Sequence, residues 1–133
     1  MTEQLDDAEL QFLQSVLDLA RSGDEQELAR LLDAGVPVNL TSAAGDSLLM
    51  LATYHMHPDT VRTLLARDAD TSRVNDRGQT ALGAAVFRQS VECVSLLLNA
   101  GADPAEGKPS ATEIAQFFNL PEMAALLEAG PRR

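Results

Sequence analysis

The chain has 133 residues, 45% of them hydrophobic but only 4% aromatic and none of them Trp. Such a composition fills one core with Leu, Ala and Val, and it favours small, closely stacked helices over a sandwich or barrel. Twenty acidic against ten basic residues give a formal net charge of -10, which repels phosphate backbones and anionic bilayers and so excludes nucleic acid and membrane surfaces as expected partners.

In chain order, Leu5, Leu10, Leu13, Val16, Leu17 and Ala20 mark a helical stripe and predict a long first helix over residues 5 to 21. The opening MTEQLDDAELQF has neither the basic start nor the apolar run of a signal peptide, and no span reaches membrane length, so a cytoplasmic address is expected. Gly23 and Asp24 break the first helix, Asp24 caps the next, and Leu28, Leu31 and Leu32 form its core side before Gly35 ends it. A loop follows from Val36 to Asp46. Ser47 is placed to cap the helix in SLLMLATYH, and Pro58 opens its partner at a first-turn position where the missing N–H costs nothing.

The stretch from Asp76 to Asp103 is the clearest unit. Gly78 makes a turn, Thr80 caps a short helix with Leu82, Ala84 and Ala85 inward, and Gln89 and Ser90 interrupt the pattern. Ser90 caps a second helix carrying Cys93, Val94, Leu96, Leu97 and Leu98 on a broad apolar face, and Gly101 stops it in the left-handed conformation. Asp68 stands where Gly35 and Gly101 end their helices and is expected to adopt the same conformation.

These segments are copies. Leu31, Leu64 and Leu97 recur every 33 residues, as do Leu32, Leu65 and Leu98, and Gly45 and Gly78 are 33 apart. Near the C-terminus Ser110, Ala115, Leu126 and Leu127 match Thr80, Ala85, Leu96 and Leu97 at a separation of 30, and Pro121 repeats the device of Pro58. Gln116 and Glu128 replace apolar residues of the preceding copy, as suits a terminal unit with one side in water. The expected fold is all-α: a single repeat domain over 1–133, with units at about 5–40, 41–73, 74–106 and 107–130, the first and last acting as caps.

The turn glycines before a capping Ser or Thr (GDS, GQT) and the helix endings LLLNAGAD and LLDAGVPVN resemble the ankyrin repeat, a unit of about 33 residues with a turn and two helices. The resemblance implies a helical-repeat solenoid of stacked helix–turn–helix units joined by β-turn or hairpin loops. The family's TPLH stands here as Ser47-Leu48-Leu49-Met50, Thr80-Ala81-Leu82-Gly83 and Ser110-Ala111-Thr112-Glu113. Without its His, hydrogen bonds between neighbouring turns are expected to be fewer or differently made.

Chemistry is sparse. His55 and His57, two apart with Asp59 nearby, make at most an incomplete metal site, and His57 stands at a helix-capping position, where a structural role suffices. The lone Cys93 excludes an internal disulfide framework and, on an apolar helix face, reads as a buried, inert thiol. There is no nucleophile with a base in register and no phosphate-binding loop, so no enzyme activity, cofactor, metal or small-molecule substrate is expected.

Four of the five aromatics cluster in register: Tyr54, Phe87 and Phe117 in one position, and His55, Arg88 and Phe118 in the next. In ankyrin-like proteins such positions face a partner-binding groove, and the resemblance adds Arg21, Ser22, Ala43, Ala44, Asp46, Asp76, Arg77 and Gln79. Tyr54, Phe87 and Phe117 are expected to form an evenly spaced ladder. The functional expectation is a monomeric module that binds another protein through its concave face as regulator or adaptor of an enzyme. The alternatives are an inhibitor or immunity-type protein for a basic toxin or enzyme, and a self-assembling scaffold. Residues 1 to 46 hold ten acids against only Arg21 and Arg30, which would suit a basic target.

Overall fold

The computed structural model describes residues 6–131, and within them the chain forms eight helices and no strand. They are α1 (Asp7–Ser22), α2 (Glu25–Asp33), α3 (Leu48–Tyr54), α4 (Pro58–Leu65), α5 (Ala81–Phe87), α6 (Val91–Asn99), α7 (Ala111–Phe117) and α8 (Pro121–Ala129). Each odd-numbered helix turns back into the next even-numbered one. The pairs stack into two layers, α1, α3, α5 and α7 on one side and α2, α4, α6 and α8 on the other.

Local chemistry recurs with the sequence period. Ser47, Thr80 and Ser110 each accept a hydrogen bond from the backbone N–H three residues on, at Met50, Gly83 and Glu113, satisfying a donor that the helix itself leaves open. Between paired helices, Gly23, Met56, Gln89 and Asn119 adopt positive φ (78°, 61°, 56° and 52°). Three of the four are not glycine, a conformation that costs roughly 1 kcal/mol. A bond from the following N–H back to the helix offsets that cost each time: Asp24 to Leu19, His57 to Ala52, Ser90 to Ala85 and Leu120 to Ala115. His57 and Leu120 supply no side-chain cap, and there Pro58 and Pro121 begin the helices instead.

Gly35, Asp68 and Gly101 end α2, α4 and α6 at φ 118°, 62° and 96°. Asp68 is therefore left-handed, and Asp68→Gly is expected to stabilise the chain by ~0.5–1 kcal/mol by removing the Cβ from that conformation. An unchanged or lower urea midpoint would show that the Asp68 side chain offsets its own strain.

The interior comprises Val16, Leu28, Leu49, Val61, Leu64, Leu82, Val94, Leu97 and Met123, with Ala52, Ala81, Ala85 and Ala111 letting the inner helices approach closely. Leu10, counted on the buried stripe from the sequence, is instead 51% exposed. Helix α1 has 16 residues and its neighbour α3 only 7, so the first turns of α1 have no helix beside them. That helix starts at Asp7 because Asp6 and Glu9 form a reciprocal capping box; Leu5 lies outside the described residues. At the other end Gln116 and Glu128 face water as expected.

Thr53 and Thr60 are fully buried, and their hydroxyls have no hydrogen-bond partner among the described residues. Val86 occupies the place of Thr53 one copy later. Thr53→Val is expected to raise the thermal midpoint, since removing an unsatisfied buried hydroxyl recovers ~1–3 kcal/mol of desolvation. A lower midpoint would mean that the hydroxyl is satisfied in solution.

Candidate functional site

Where the C-terminal ends of the inner helices meet the turns between pairs, the surface sinks into a groove of about 600 Å³. Its floor is Met50 and Leu51 of α3, Gly83 and Ala84 of α5 and Ile114 of α7; Tyr54, His55, Phe87 and Phe118 line one flank, and Asp46, Asn75, Arg77, Gln79 and Pro109 the other. Arg21, at the end of α1, closes one extremity. At Gly83 a Cβ would lie 3.2 Å from both Ile114 Cδ1 and Thr80 Oγ1, so this glycine lets α5 and α7 close up beneath the groove.

The turn flank is held by a hub that the sequence reading did not single out. Asn75 Nδ2 donates to Asp46 Oδ1 (2.7 Å) in the preceding turn and to Gln79 Oε1 (2.8 Å), while its Oδ1 accepts from the Arg77 and Gln79 N–H groups (3.0 and 2.9 Å). Backbone bonds from Asp76 N to Ala44 O (3.0 Å) and from Lys108 N to Gly78 O (2.8 Å) extend the link along the stack. Neighbouring turns are thus joined without the His of the family's TPLH. The signal available in NDRGQT was an Asn opening a turn, where its side chain bonds the backbone two residues on.

On the aromatic flank, Tyr54 and Phe87 each meet the next position of the following copy. The Arg88 guanidinium lies 5.3 Å from the Tyr54 ring centroid, and Phe118 packs edge-on against Phe87 at 5.5 Å. Phe117 has no following copy to cover it. It is 81% exposed, touches Phe118 edge-on at 4.9 Å, and stands outside the groove lining, so its expected place in the groove is corrected. Tyr54, Phe87 and Phe118 each remain about half exposed. Arg88 and Asp76 stand outside the lining, Arg88 over the Tyr54 ring and Asp76 with its carboxylate against Gly45. Ser22, Ala43 and Ala44 are exposed and also outside it.

Partial burial, together with the nearby His57, Arg21 and Arg88, pushes the His55 imidazole below its ordinary value of 6.5, which favours the neutral ring at pH 7. His57 Nε2 lies 2.8 Å from the Arg21 carbonyl, and its ring covers Gly23, where a Cβ would come within 2.5 Å of Nδ1. That histidine therefore fastens one repeat to the next. Burial pushes the Cys93 thiol up, away from thiolate chemistry. Among the described residues no three His, Cys, Asp or Glu side chains cluster as metal ligands, and no helix is long and apolar enough to cross a membrane.

Comparison with known proteins places these features among relatives. The model for ankyrin repeats, in three copies, matches residues 17–107. The chain is 52% identical over 59 residues to an ankyrin repeat protein of Pseudomonas aeruginosa, covering 44% of this chain and 34% of that protein. It is 37% identical over 117 residues to an ankyrin repeat-containing protein of Treponema pallidum, covering 84% of this chain and 39% of the relative. An E3 ubiquitin-protein ligase of Arabidopsis thaliana is 35% identical over 68 residues, which are 51% of this chain and 4% of the ligase. The chain therefore spans well under half the length of each of these relatives.

Proposed function

Since this chain belongs to the ankyrin-repeat family, whose repeats generally bind other proteins, we propose that it is a non-catalytic protein-binding module whose partner sits in the groove between Arg21 and Phe118. The observation that carries this reading is the half-exposed set of Tyr54, Phe87 and Phe118, with Arg88 stacked on the first ring. Aromatic and guanidinium groups are the side chains that dominate interface energetics, and a groove that leaves them partly in water has their burial still to gain. A regulator or adaptor of a cytoplasmic enzyme, working as a monomer, fits this arrangement.

The acids of α1 and α2 favour a second reading, an inhibitor of a basic protein. Those of α2 stand outside the groove lining, with Glu27 engaged by Arg30, Asp33 by Arg67 and Glu25 by Thr63. A basic target would therefore dock on the N-terminal pair or the outer layer.

The triple variant Tyr54→Ala, Phe87→Ala, Arg88→Ala separates the two. Tyr54 and Phe87 are about half exposed, and the three side chains meet surface partners, Arg88 with Tyr54 and Met56, Tyr54 with His55 and Phe87 with Phe118, so the thermal midpoint should move by only a few degrees. Proteins captured from lysate by the unaltered chain should be lost, since truncating an interface anchor costs ~2 kcal/mol or more, over tenfold in affinity. Full retention by a folded variant would overturn the groove reading and favour the outer layer.

A further inference from the structure

Leu10, Leu13, Leu17 and Ala20 follow one another at intervals of three, four and three residues, the spacing that puts apolar side chains on one seam of a helix. The fold divides that seam. Leu17 and Ala20 are buried where α1 packs on α2 and α3, whereas Leu10 is 51% exposed, Phe12 beside it 44%, and Leu13 only half-buried. The first two turns of α1 therefore keep an apolar face in water. They are nonetheless set as helix, because the reciprocal capping box of Asp6 and Glu9 fixes the start of α1 by local bonds alone.

Counted in full, with no allowance for hydrogen bonding, the charge around this face is negative. Asp6, Asp7 and Glu9 stand at its free end, and residues 6–20 contain no base. The helix dipole offsets about half a charge there. Helix α3 has no charged residue, the connection from 36 to 47 adds Asp46 and no base, and α2 brings Glu25, Glu27 and Asp33 against Arg30. Arg67 reaches Asp33 from the next pair. Arg21 pairs with Asp18 and lies ~16 Å along the helix from Leu10 at the usual rise per residue, beyond a Debye length of ~10 Å at 0.1 M salt. Residues 6–33 together hold eight acids against Arg21 and Arg30.

Resting on the second reading above, in which a basic protein docks on the N-terminal pair, we propose that the face of Leu10, Phe12 and Leu13 is the docking surface and that its occupant is a basic amphipathic helix. The apolar stripe of that helix buries Leu10 and Phe12 and prolongs the seam that α3 covers further along α1. Its Lys or Arg residues meet Asp6, Asp7 and Glu9 at the edge, as flanking charges do in paired helices. A second copy of this chain is disfavoured, because joining two such faces sets the acids of one α1 against those of the other. An acidic helix meets the same repulsion.

The test is a displayed library of helical peptides, with Leu fixed at three-and-four spacing and the flanking positions drawn from Lys, Glu, Gln and Ala, panned on the immobilised full chain. Enriched peptides are synthesised and their affinities measured by fluorescence polarisation. Enrichment of Lys over Glu is expected. Leu10→Gln with Phe12→Gln should weaken those peptides more than tenfold while moving the thermal midpoint by no more than a few degrees, since both side chains are largely in water already. Asp7→Lys with Glu9→Gln, which keeps a side chain able to complete the capping box, should weaken them several-fold at low salt and little at high salt. Tyr54→Ala with Phe87→Ala should leave them unaffected. Lys-rich peptides indifferent to both α1 variants would leave the basic-target reading standing and overturn this face as its site. Acidic or uncharged peptides that are lost with Leu10→Gln, Phe12→Gln would keep the face but overturn the basic occupant and the reading it rests on. No enrichment above an unrelated acidic protein would overturn the proposal, as would a dimer of the unaltered chain in sedimentation velocity that Leu10→Gln, Phe12→Gln abolishes.

Discussion

Leu97→Ala is expected to lower the unfolding free energy by ~2–5 kcal/mol, a large fraction of the ~5–15 kcal/mol that a domain of this kind possesses. Leu97 is completely buried in α6, which packs on α4, α5 and α8, so removing its three outer carbons leaves a cavity that neighbours on three sides must close. Its carbonyl also accepts the Ala102 N–H that finishes the helix. In a stack where each unit leans only on its neighbours, weakening α6 also loosens the attachment of α7 and α8. Urea unfolding followed by helical circular dichroism should therefore show a lower midpoint together with a shallower slope, as the last pair separates first. The same register supplies the controls. Leu31 and Leu65 are only partly buried, so truncating either should cost distinctly less. Equal losses at Leu65 and Leu97, or a loss of only a few tenths of a kcal/mol at Leu97, would mean that the assigned repeat register is wrong.

The repeat register was legible because it is written in local chemistry. A cap needs one hydroxyl three residues before an N–H, and a helix start tolerates proline, so Ser47, Thr80, Ser110, Pro58 and Pro121 announce their roles without any distant contact. Asp68 could likewise be placed by counting from Gly35 and Gly101. What one period cannot encode is how one copy leans on the next. Equivalence placed Tyr54 and Phe87 in one register, but it did not show that each ring meets the residue one place further on in the following copy, Arg88 or Phe118. Ends fail for a related reason. Leu10 and Phe117 keep the hydrophobic pattern but lack the neighbour that would bury them. The groove floor of Met50, Gly83 and Ile114 was missed because an apolar residue on an inner helix reads as core whether it faces another helix or an open cleft.

Asn75 illustrates the same gap and carries the second large effect. Its amide joins four partners, two of them backbone N–H groups and one the Asp46 carboxylate of the preceding turn, and the residue is buried. Each bond contributes ~0.5–1.5 kcal/mol net, and removing the amide strands its partners, so Asn75→Ala is expected to cost ~2–4 kcal/mol. The loss should appear as a lower urea midpoint and as faster hydrogen exchange at the Arg77 and Gln79 amides, the two N–H groups it holds. Asn75→Asp divides the network. It keeps an acceptor for those two amides but replaces the donor by an oxygen facing Asp46 Oδ1 and Gln79 Oε1. Two carboxylates at that separation disfavour the ionised pair in the folded state, so one of them takes a raised folded pKa and binds its proton before the unfolded chain does. The destabilisation is then fully present at pH 7 and shrinks as pH falls toward the unfolded Asp value of ~3.9. Comparing the two variants at pH 7 and pH 4.5 checks the arrangement: the deficit of Asn75→Asp should narrow relative to that of Asn75→Ala at the lower pH. A deficit below 1 kcal/mol for Asn75→Ala, with unchanged exchange at Arg77 and Gln79, would show that water replaces the hub and that the turn flank of the groove holds its shape without it.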